Sequence, residues 1–293
     1  MEQVYRVFPG ELRAQLERLP PKTWAELEEI RLRTGQPVRL WGRNRVESLA
    51  GELTRTELEQ VIRLASRCSI HAVLPQLRQG FLTLPGGHRL GICGRAVLRE
   101  GEIHAIEPVS SLNLRLARQM RGVAEPLMER LCPKGEFRST LILVPPGAGK
   151  TTLLRDVIRC LSDGVGCVPH RVSLADERGE VAAMQGDGPQ LYVGENTDVM
   201  EGCPKAQGLM LLLRGMNPQV LCADEITARE DIEAMSMAAG CGVELLCTAD
   251  GASRDDLERR GLYRALTEQG VFRRLLTIRV ERGERRYQVE EMA

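Results

Sequence analysis

Hydrophobic residues follow one pattern in the first half of the chain and another in the second half. Before about residue 135, short apolar segments such as Leu90–Leu98 and Val109–Leu116 alternate with glycine turns. Later apolar runs, such as Leu141–Val144, are each followed by a helical pattern. Alternating short strands are typical of antiparallel sheets, and buried runs separated by helices are typical of parallel sheets. The sequence therefore predicts an α/β protein with a smaller α+β domain over 1–135 and a mostly parallel sheet over 136–293.

Helical spacing marks two segments of the first half. Thr54–Arg67 carries apolar residues three and four positions apart, and Thr54 with Glu57 makes a capping-box pattern at its start. Met120–Leu131 is also predicted to be a helix. Cys132–Gly135 contains a proline and a glycine that break this helix, so we place the domain boundary there.

A glycine-rich segment lies between an apolar strand pattern and an amphipathic helix pattern. Residues 144–152 read VPPGAGKTT, which matches the phosphate-binding loop G-x-x-x-x-G-K-[ST] except that Val144 replaces the first glycine. In such loops the backbone N–H groups face the phosphates, the lysine reaches the β- and γ-phosphates, and the next hydroxyl binds Mg²⁺. The alternative is a Gly/Pro turn with an incidental lysine. The predicted nucleotide-binding residues are Pro146, Gly147, Ala148, Gly149, Lys150, Thr151 and Thr152.

The same acidic dipeptide follows two of the predicted strands. Asp176 and Glu177 follow one apolar run, and Asp224 and Glu225 follow another. In parallel sheets, ligands bind outside the carboxyl ends of the strands. We assign Asp224 as the acid that holds Mg²⁺ through water, next to Thr151. Glu225 is the first candidate for the general base and Glu177 the second. Helix N-capping is the alternative role of both pairs.

A helical pattern between these pairs carries an arginine near its end. Pro204–Met216 has an apolar face, and Arg214 lies in its last turn. An arginine at this point can act across a subunit interface on the charge of the transition state, and it can equally be a surface residue. Spacing alone leaves both roles open.

The end of the chain predicts a β-hairpin. Val271–Val280 and Glu281–Tyr287 alternate charged and apolar residues around a glycine. We expect the arginine-rich face of this hairpin to be solvated, and a contact with acidic lipid or an acidic partner is the alternative.

Composition narrows the class of protein. The chain has 293 residues, and 40 Lys and Arg residues balance 40 Asp and Glu residues. A net charge of +0 gives no overall attraction to nucleic acid, and 3% aromatic residues leave little surface for base stacking, so no nucleic-acid partner is expected. Nine cysteines without a C-x-x-C pair indicate reduced core residues. No signal-peptide or membrane-span pattern occurs, which predicts a cytoplasmic protein.

Several motifs together resemble one family. The chain is similar to the stage III sporulation protein AA family over about residues 25 to 280. The resemblance rests on Asp176–Glu180, Thr197–Val199, Cys203–Ala206, Leu213–Pro218 and Asp224–Ile226, and in the first half on Glu29–Arg33, Gly86–Gly91 and Ser110–Arg115.

The resemblance implies a fold, an activity and partners. That family is similar to type II and type IV secretion and pilus ATPases, which have a RecA-like P-loop domain, bind ATP and Mg²⁺, and assemble as hexameric rings. It implies a mother-cell ATPase of endospore-forming bacteria at the base of the channel complex to the forespore. Such a protein would be cytoplasmic, and peripheral at the membrane through membrane proteins of that complex.

Three positions depart from the family pattern, and two of them change the charge; the third is Thr227, which replaces a glycine. Asn196 stands where an arginine is usual, and Asp250 stands where a histidine is usual. Both changes remove positive charge, and we expect both to lie near the phosphates. Nucleotide binding with slow hydrolysis is the resulting hypothesis. A nucleotide-gated ring scaffold and, less favoured, a nucleic-acid motor are the alternatives to a secretion-type motor.

Overall fold

A computed structural model of the chain describes residues 2–42, 45–66, 77–78, 80–145, 147–185, 188–251, 253–281 and 284–292. The chain divides into two compact units, Met1–Arg118 and Gln119–Ala293. This division lies before the predicted boundary at residue 135. The reason is packing, because Ala124, Met128 and Leu131 are fully buried in the core of the second unit.

The first unit is built on an antiparallel sheet, as the alternating pattern predicts. Its strands are β1 (Leu27–Arg33), β2 (Arg39–Gly42), β3 (Val46–Ser48), β4 (Phe81–Leu84), β5 (His88–Arg99) and β6 (Glu102–Arg115). They are ordered β3-β2-β1-β6-β5-β4, and the neighbouring strands pair antiparallel. The described helices of this unit are α1 (Glu2–Tyr5), α2 (Gly10–Glu17), α3 (Pro21–Glu26) and α4 (Arg55–Ala65).

Two helix predictions of the first half had different outcomes. The capping box of α4 is confirmed, because the Glu57 amide donates to Thr54 Oγ1 at 3.2 Å and the Thr54 amide donates to Glu57 Oε2 at 2.8 Å. Arg67 lies outside the described residues. The helix predicted over Met120–Leu131 is wrong in its first half. Gly122 has a φ of 86°, which no right-handed helix accommodates, and helical turns begin only at Glu125.

The second unit contains the predicted mostly parallel sheet. Its strands are β7 (Thr140–Val144), β8 (Val172–Asp176), β11 (Thr197–Glu201), β12 (Val220–Ala223), β13 (Glu244–Asp250), β14 (Arg274–Glu281) and β15 (Glu284–Glu291). The order is β11-β8-β12-β13-β7-β14-β15, with parallel pairing except between β14 and β15. Its other described elements are the short pair β9 (Met184–Gln185) and β10 (Gly188–Pro189), the 3₁₀ turns Glu125–Leu127 and Pro133–Gly135, and the helices α5 (Met128–Leu131), α6 (Lys150–Asp163), α7 (Lys205–Gly215), α8 (Arg229–Gly240), α9 (Arg254–Arg259) and α10 (Gly261–Glu268).

Helices cover both faces of the parallel sheet. Successive side chains of a strand point to opposite faces, and in β7 Ile142 belongs to one buried cluster while Leu141 belongs to the other. The first cluster contains Leu154 of α6, and the second contains Leu209 of α7 and Met235 of α8. Burial on both faces explains why these strands are apolar along their whole length.

The predicted C-terminal hairpin is confirmed and has a position that its sequence does not indicate. β14 and β15 pair antiparallel, from Arg274 with Glu291 to Glu281 with Glu284. β14 also pairs parallel with β7, so that Thr277 lies beside Leu143. β14 continues beyond the last residue of β7. The hairpin therefore reaches the carboxyl end of β7, where the glycine-rich segment begins.

Candidate functional site

The glycine-rich segment lies between β7 and α6. β7 ends at Val144 and α6 begins at Lys150, so the strand and the helix that the motif requires are both present. Gly147 and Gly149 have φ values of 78° and 100°, which L-residues with a side chain rarely adopt. Pro146 lies outside the described residues. The glycines thus allow the tight turn that leads the chain into α6. Ala148 and Gly149 directly precede Lys150, and Thr151 and Thr152 follow it in the first turn of the helix.

Lys150 is the mostly buried cation of this loop. Its Nζ lies 2.7 Å from Asp250 Oδ1 and 3.6 Å from Glu225 Oε2. Burial by itself lowers the pKa of Lys150, but the hydrogen bond to Asp250 and the charges of Asp224 and Glu225 outweigh it, so the pKa is raised. The ammonium group is therefore charged at neutral pH, and two carboxylates compete for it.

Asp224 and Thr151 meet at the end of β12. The Thr151 hydroxyl donates to Asp224 Oδ2 at 3.1 Å, and the Thr248 hydroxyl donates to Asp224 Oδ1 at 2.6 Å. A hydroxyl and a carboxylate side by side are hard oxygen ligands of the kind that Mg²⁺ prefers. Thr151 and Asp224 therefore fit the ion that a phosphate-binding loop requires.

Glu225 has a strained backbone beside Lys150. Its φ is 38°, a value that non-glycine residues adopt at a cost of about 1–3 kcal/mol and that recurs at functional sites. Its amide donates to Thr248 Oγ1 at 2.7 Å, and its Oε2 lies 3.1 Å from Arg178 Nη1. The carboxylate is thus aimed at the loop lysine and at an exposed arginine.

The first acidic pair has a different environment. Asp176 is buried and accepts hydrogen bonds from the amides of Glu180 (3.0 Å), Val181 (3.0 Å) and Ala182 (2.8 Å). Burial raises the pKa of Asp176, and these three bonds only partly oppose that rise. Glu177 is exposed, and its Oε2 lies 3.4 Å from Lys205 Nζ. Asp176 therefore closes the turn after β8, while Glu177 faces the space between β8 and β12.

Sequence reasoning missed Lys205 as a site residue. It is the first residue of α7 and only 5% of its surface is exposed. Asp176, Glu177, Arg178, Lys205, Asp224 and Glu225 line one polar cleft. The helix dipole disfavours a lysine in the first turn of a helix. The position of Lys205 directly after Pro204, at the predicted start of a helix, is therefore the sequence signal that could have identified it as a site residue.

Two of the predicted residues lie at the opposite edge of the sheet. Asn196 donates from Nδ2 to the Ser162 carbonyl at 2.8 Å, in the last turn of α6. Ser162 comes twelve residues after Lys150, which at about 1.5 Å per residue places it about 18 Å away. The expectation that Asn196 lies near the phosphates of its own chain is therefore wrong. Arg214 is exposed in the last turn of α7, close to the start of β12 at this same edge.

The C-terminal hairpin supplies a cation that sequence reasoning placed in solvent. Arg285 Nε donates to the Ala148 carbonyl at 2.9 Å. A Cβ atom at Gly149 would lie 3.3 Å from the Arg285 guanidinium, so the arginine lies directly against the loop. Part of the arginine-rich face thus contacts the loop instead of water alone.

Two kinds of site were not found in the described part of the chain. No helix there combines the length and the apolar character of a membrane span. No group of three or more His, Cys, Asp and Glu side chains is arranged there to hold a metal ion.

Comparison with known proteins gives two kinds of likeness. In sequence, the chain is 36% identical to the stage III sporulation protein AA of Bacillus subtilis (strain 168) over 284 residues, which are 97% of this chain and 92% of that protein. In structure, the chain is similar to the ATPase DotB of Yersinia pseudotuberculosis, with a TM-score of 0.65, 15% identity, and coverage of 98% of this chain and 80% of that one. It is also similar to the pilus retraction motor PilT with bound ADP, with a TM-score of 0.62, 17% identity, and coverage of 96% and 82%.

The two likenesses carry different weight. At 15–17% identity the structural neighbours show the fold alone, which is that of the secretion and pilus ATPases. The family described as sporulation stage III, protein AA matches residues 1–289, nearly the whole chain. The residues that carried the resemblance are thus part of a match along the entire sequence, and the chain belongs to the stage III sporulation protein AA family.

Proposed function

We propose that this protein binds ATP with Mg²⁺ at the loop 146–152 and hydrolyses it slowly, as a secretion-type motor. One observation carries the proposal. Lys150 and Thr151 of the loop lie within hydrogen-bonding or ion-pair distance of Asp250, Asp224 and Glu225, which all follow or end parallel strands. A phosphate-binding loop facing acidic side chains at this edge is the arrangement that NTP hydrolysis requires.

The residues of the loop supply attraction and orientation. Backbone N–H groups of Gly147, Gly149 and the first turn of α6 offer donors and a partial positive charge to phosphate oxygens, whereas the Ala148 amide donates to the Pro145 carbonyl at 3.2 Å. Lys150 adds a full charge, and Thr151 with Asp224 would hold Mg²⁺, which neutralises phosphate charge when bound. Glu225 is the candidate that orients the attacking water and accepts its proton, and Glu177 is the second candidate.

Asp250 is the reason to expect slow turnover. Its carboxylate forms a 2.7 Å ion pair with Lys150. It therefore competes with phosphate oxygens for the lysine ammonium group. This pair also favours a second candidate function, a nucleotide-gated scaffold that binds ATP to assemble and turns over little. Both functions share the same nucleotide site, and they differ in the rate of phosphate release.

The family and the fold neighbours support a proposal about assembly and partners. We propose a ring, hexameric as in secretion ATPases, that docks on membrane proteins of the channel complex between mother cell and forespore. The exposed Arg214, far from the loop of its own chain, is proposed to act on a neighbouring subunit. A net charge of +0 supports the absence of a nucleic-acid partner.

Steady-state phosphate release with Mg²⁺ATP tests the proposal, with fluorescent-nucleotide binding measured on the same samples. Wild type should bind nucleotide and release phosphate, and Lys150→Ala should lose both. Lys134→Ala is the matched control, because Lys134 is exposed and outside the site. Binding without release would support the scaffold, and binding that survives Lys150→Ala would contradict the site itself.

A further inference from the structure

Lys205 is a buried charge whose partners come from three different elements. Its Nζ donates to the Glu225 carbonyl at 2.5 Å, and it lies 3.4 Å from Glu177 Oε2 and 3.5 Å from Asp231 Oδ2. Glu177 follows β8, Glu225 follows β12, and Asp231 lies in the first turn of α8. A buried ammonium is costly unless such acceptors surround it. One side chain therefore ties together the ends of two neighbouring strands and the helix behind them.

The strained residue Glu225 is held at both of its backbone polar groups. Its amide donates to Thr248 Oγ1 at 2.7 Å, and its carbonyl accepts from Lys205. A residue keeps a φ of 38° only where its surroundings over-determine the conformation. In the described part of the chain, the side chains of Thr248 and Lys205 make these two hydrogen bonds. The fold of this turn directs the Glu225 carboxylate to within 3.6 Å of Lys150.

We infer that Lys205 is a positioning residue, which holds Glu225 in its strained conformation and so aims its carboxylate at the loop. The inference rests on the proposed role of Glu225, and it assigns a function to a lysine outside the phosphate-binding motif. Lys205 lines the same cleft as Asp224 and Glu225, but in this role it acts on neighbouring residues and not on the nucleotide. It acts on the backbone of Glu225 and, through Glu177, links the two acidic pairs.

Kinetics give the first test. Lys205→Met removes the charge and keeps most of the side-chain volume. The methionine variant is expected to fold, because Asp231 Oδ2 still accepts from the amides of Thr227 and Ala228 at 3.1 Å each, and Glu177 is exposed. Phosphate release should fall about 100-fold, the loss that a misplaced catalytic group causes, while nucleotide affinity stays unchanged. Lys134→Met, the same change at an exposed site, should alter neither.

Strain at residue 225 gives a second test that needs neither nucleotide nor turnover. Glu225→Gly and Glu225→Ala both remove the carboxylate, but only alanine is strained at positive φ. With Lys205 present, the glycine variant should unfold at a higher urea concentration than the alanine variant. When each is combined with Lys205→Met, this difference should disappear or reverse. Lys205→Gln serves in the same comparison if the methionine variant does not fold.

The outcomes separate the inference from the proposed function. An unchanged glycine-over-alanine difference without Lys205 would overturn the inference, and so would a loss of affinity in proportion to the loss of turnover. If wild type neither binds nor hydrolyses ATP, the proposed function fails. The urea comparison then still decides whether Lys205 holds residue 225.

Discussion

Asp176-Glu177 and Asp224-Glu225 are the same dipeptide at the ends of neighbouring parallel strands, yet the fold uses them differently. Asp176 is buried and accepts three backbone N–H groups, so it closes a turn. Asp224 accepts hydroxyls from Thr151 and Thr248 beside the loop. A carboxylate at the end of a strand therefore accepts backbone N–H groups where the following turn offers them, and it remains available to a ligand where its partners are side-chain hydroxyls.

The glutamates differ in the same way. Glu225 lies near Lys150 in a strained conformation, whereas Glu177 is exposed and pairs with Lys205. Lys205 lies between them and contacts both residues. The two pairs are therefore one connected cluster with a structural end at Asp176 and a chemical end at Asp224 and Glu225.

The largest effect should come from comparing the two glutamates. Glu225→Gln should lower phosphate release by about 10²–10³-fold, because it removes the proposed general base while keeping the side-chain shape. Glu177→Gln should lower it by less than about tenfold, since Glu177 would act only as a second carboxylate. Single-turnover phosphate release measures both. If Glu177→Gln lowered phosphate release more than Glu225→Gln, Glu177, which follows β8, would be the general base.

Replacing Asp176 and replacing Asp224 should lower the free energy of unfolding by different amounts. Asp176→Ala leaves three buried amides without their acceptor and should reduce the free energy of unfolding by about 3 kcal/mol. Asp224→Ala removes a half-buried carboxylate that accepts two hydroxyls, of which only that of the fully buried Thr248 is cut off from water, and should cost less, about 1 kcal/mol. Urea unfolding of the unliganded variants measures both values. Equal losses would show that Asp224 is as structural as Asp176.

The smallest effect concerns a third acidic strand end, Asp250. Asp250→Asn frees Lys150 from the 2.7 Å ion pair and should tighten nucleotide binding about tenfold, or about 1.4 kcal/mol. Asn196→Arg is the matched control, because it changes charge at the far end of α6 and should leave the affinity of the unassembled protein unchanged. Fluorescent-nucleotide titration measures both. Weaker binding in Asp250→Asn would instead make Asp250 part of the binding site.

Local sequence patterns predicted helices, strands and turns well, but they did not predict which residues come into contact in the folded chain. The loop between β7 and α6, the capping box at Thr54 and the C-terminal hairpin each follow from residues close together in the chain. The helix predicted from Met120 failed at Gly122, where Ala124 donates its amide to Asp156 Oδ2 at 2.7 Å in the core. A contact with a residue 32 positions away overrode the local helical spacing.

Local sequence is enough to specify the apolar strands, the glycine turn before Lys150 and the acidic residues that follow the strands, because periodicity and turn chemistry act over a few residues. Which of these polar groups come into contact depends instead on the folded chain. Lys150 reaches Asp250 across 100 residues because β13 pairs in register with β7. Asn196 and Arg214 lie at the other edge because the order and direction of parallel strands, which depend on long-range packing, set the edge at which each loop emerges.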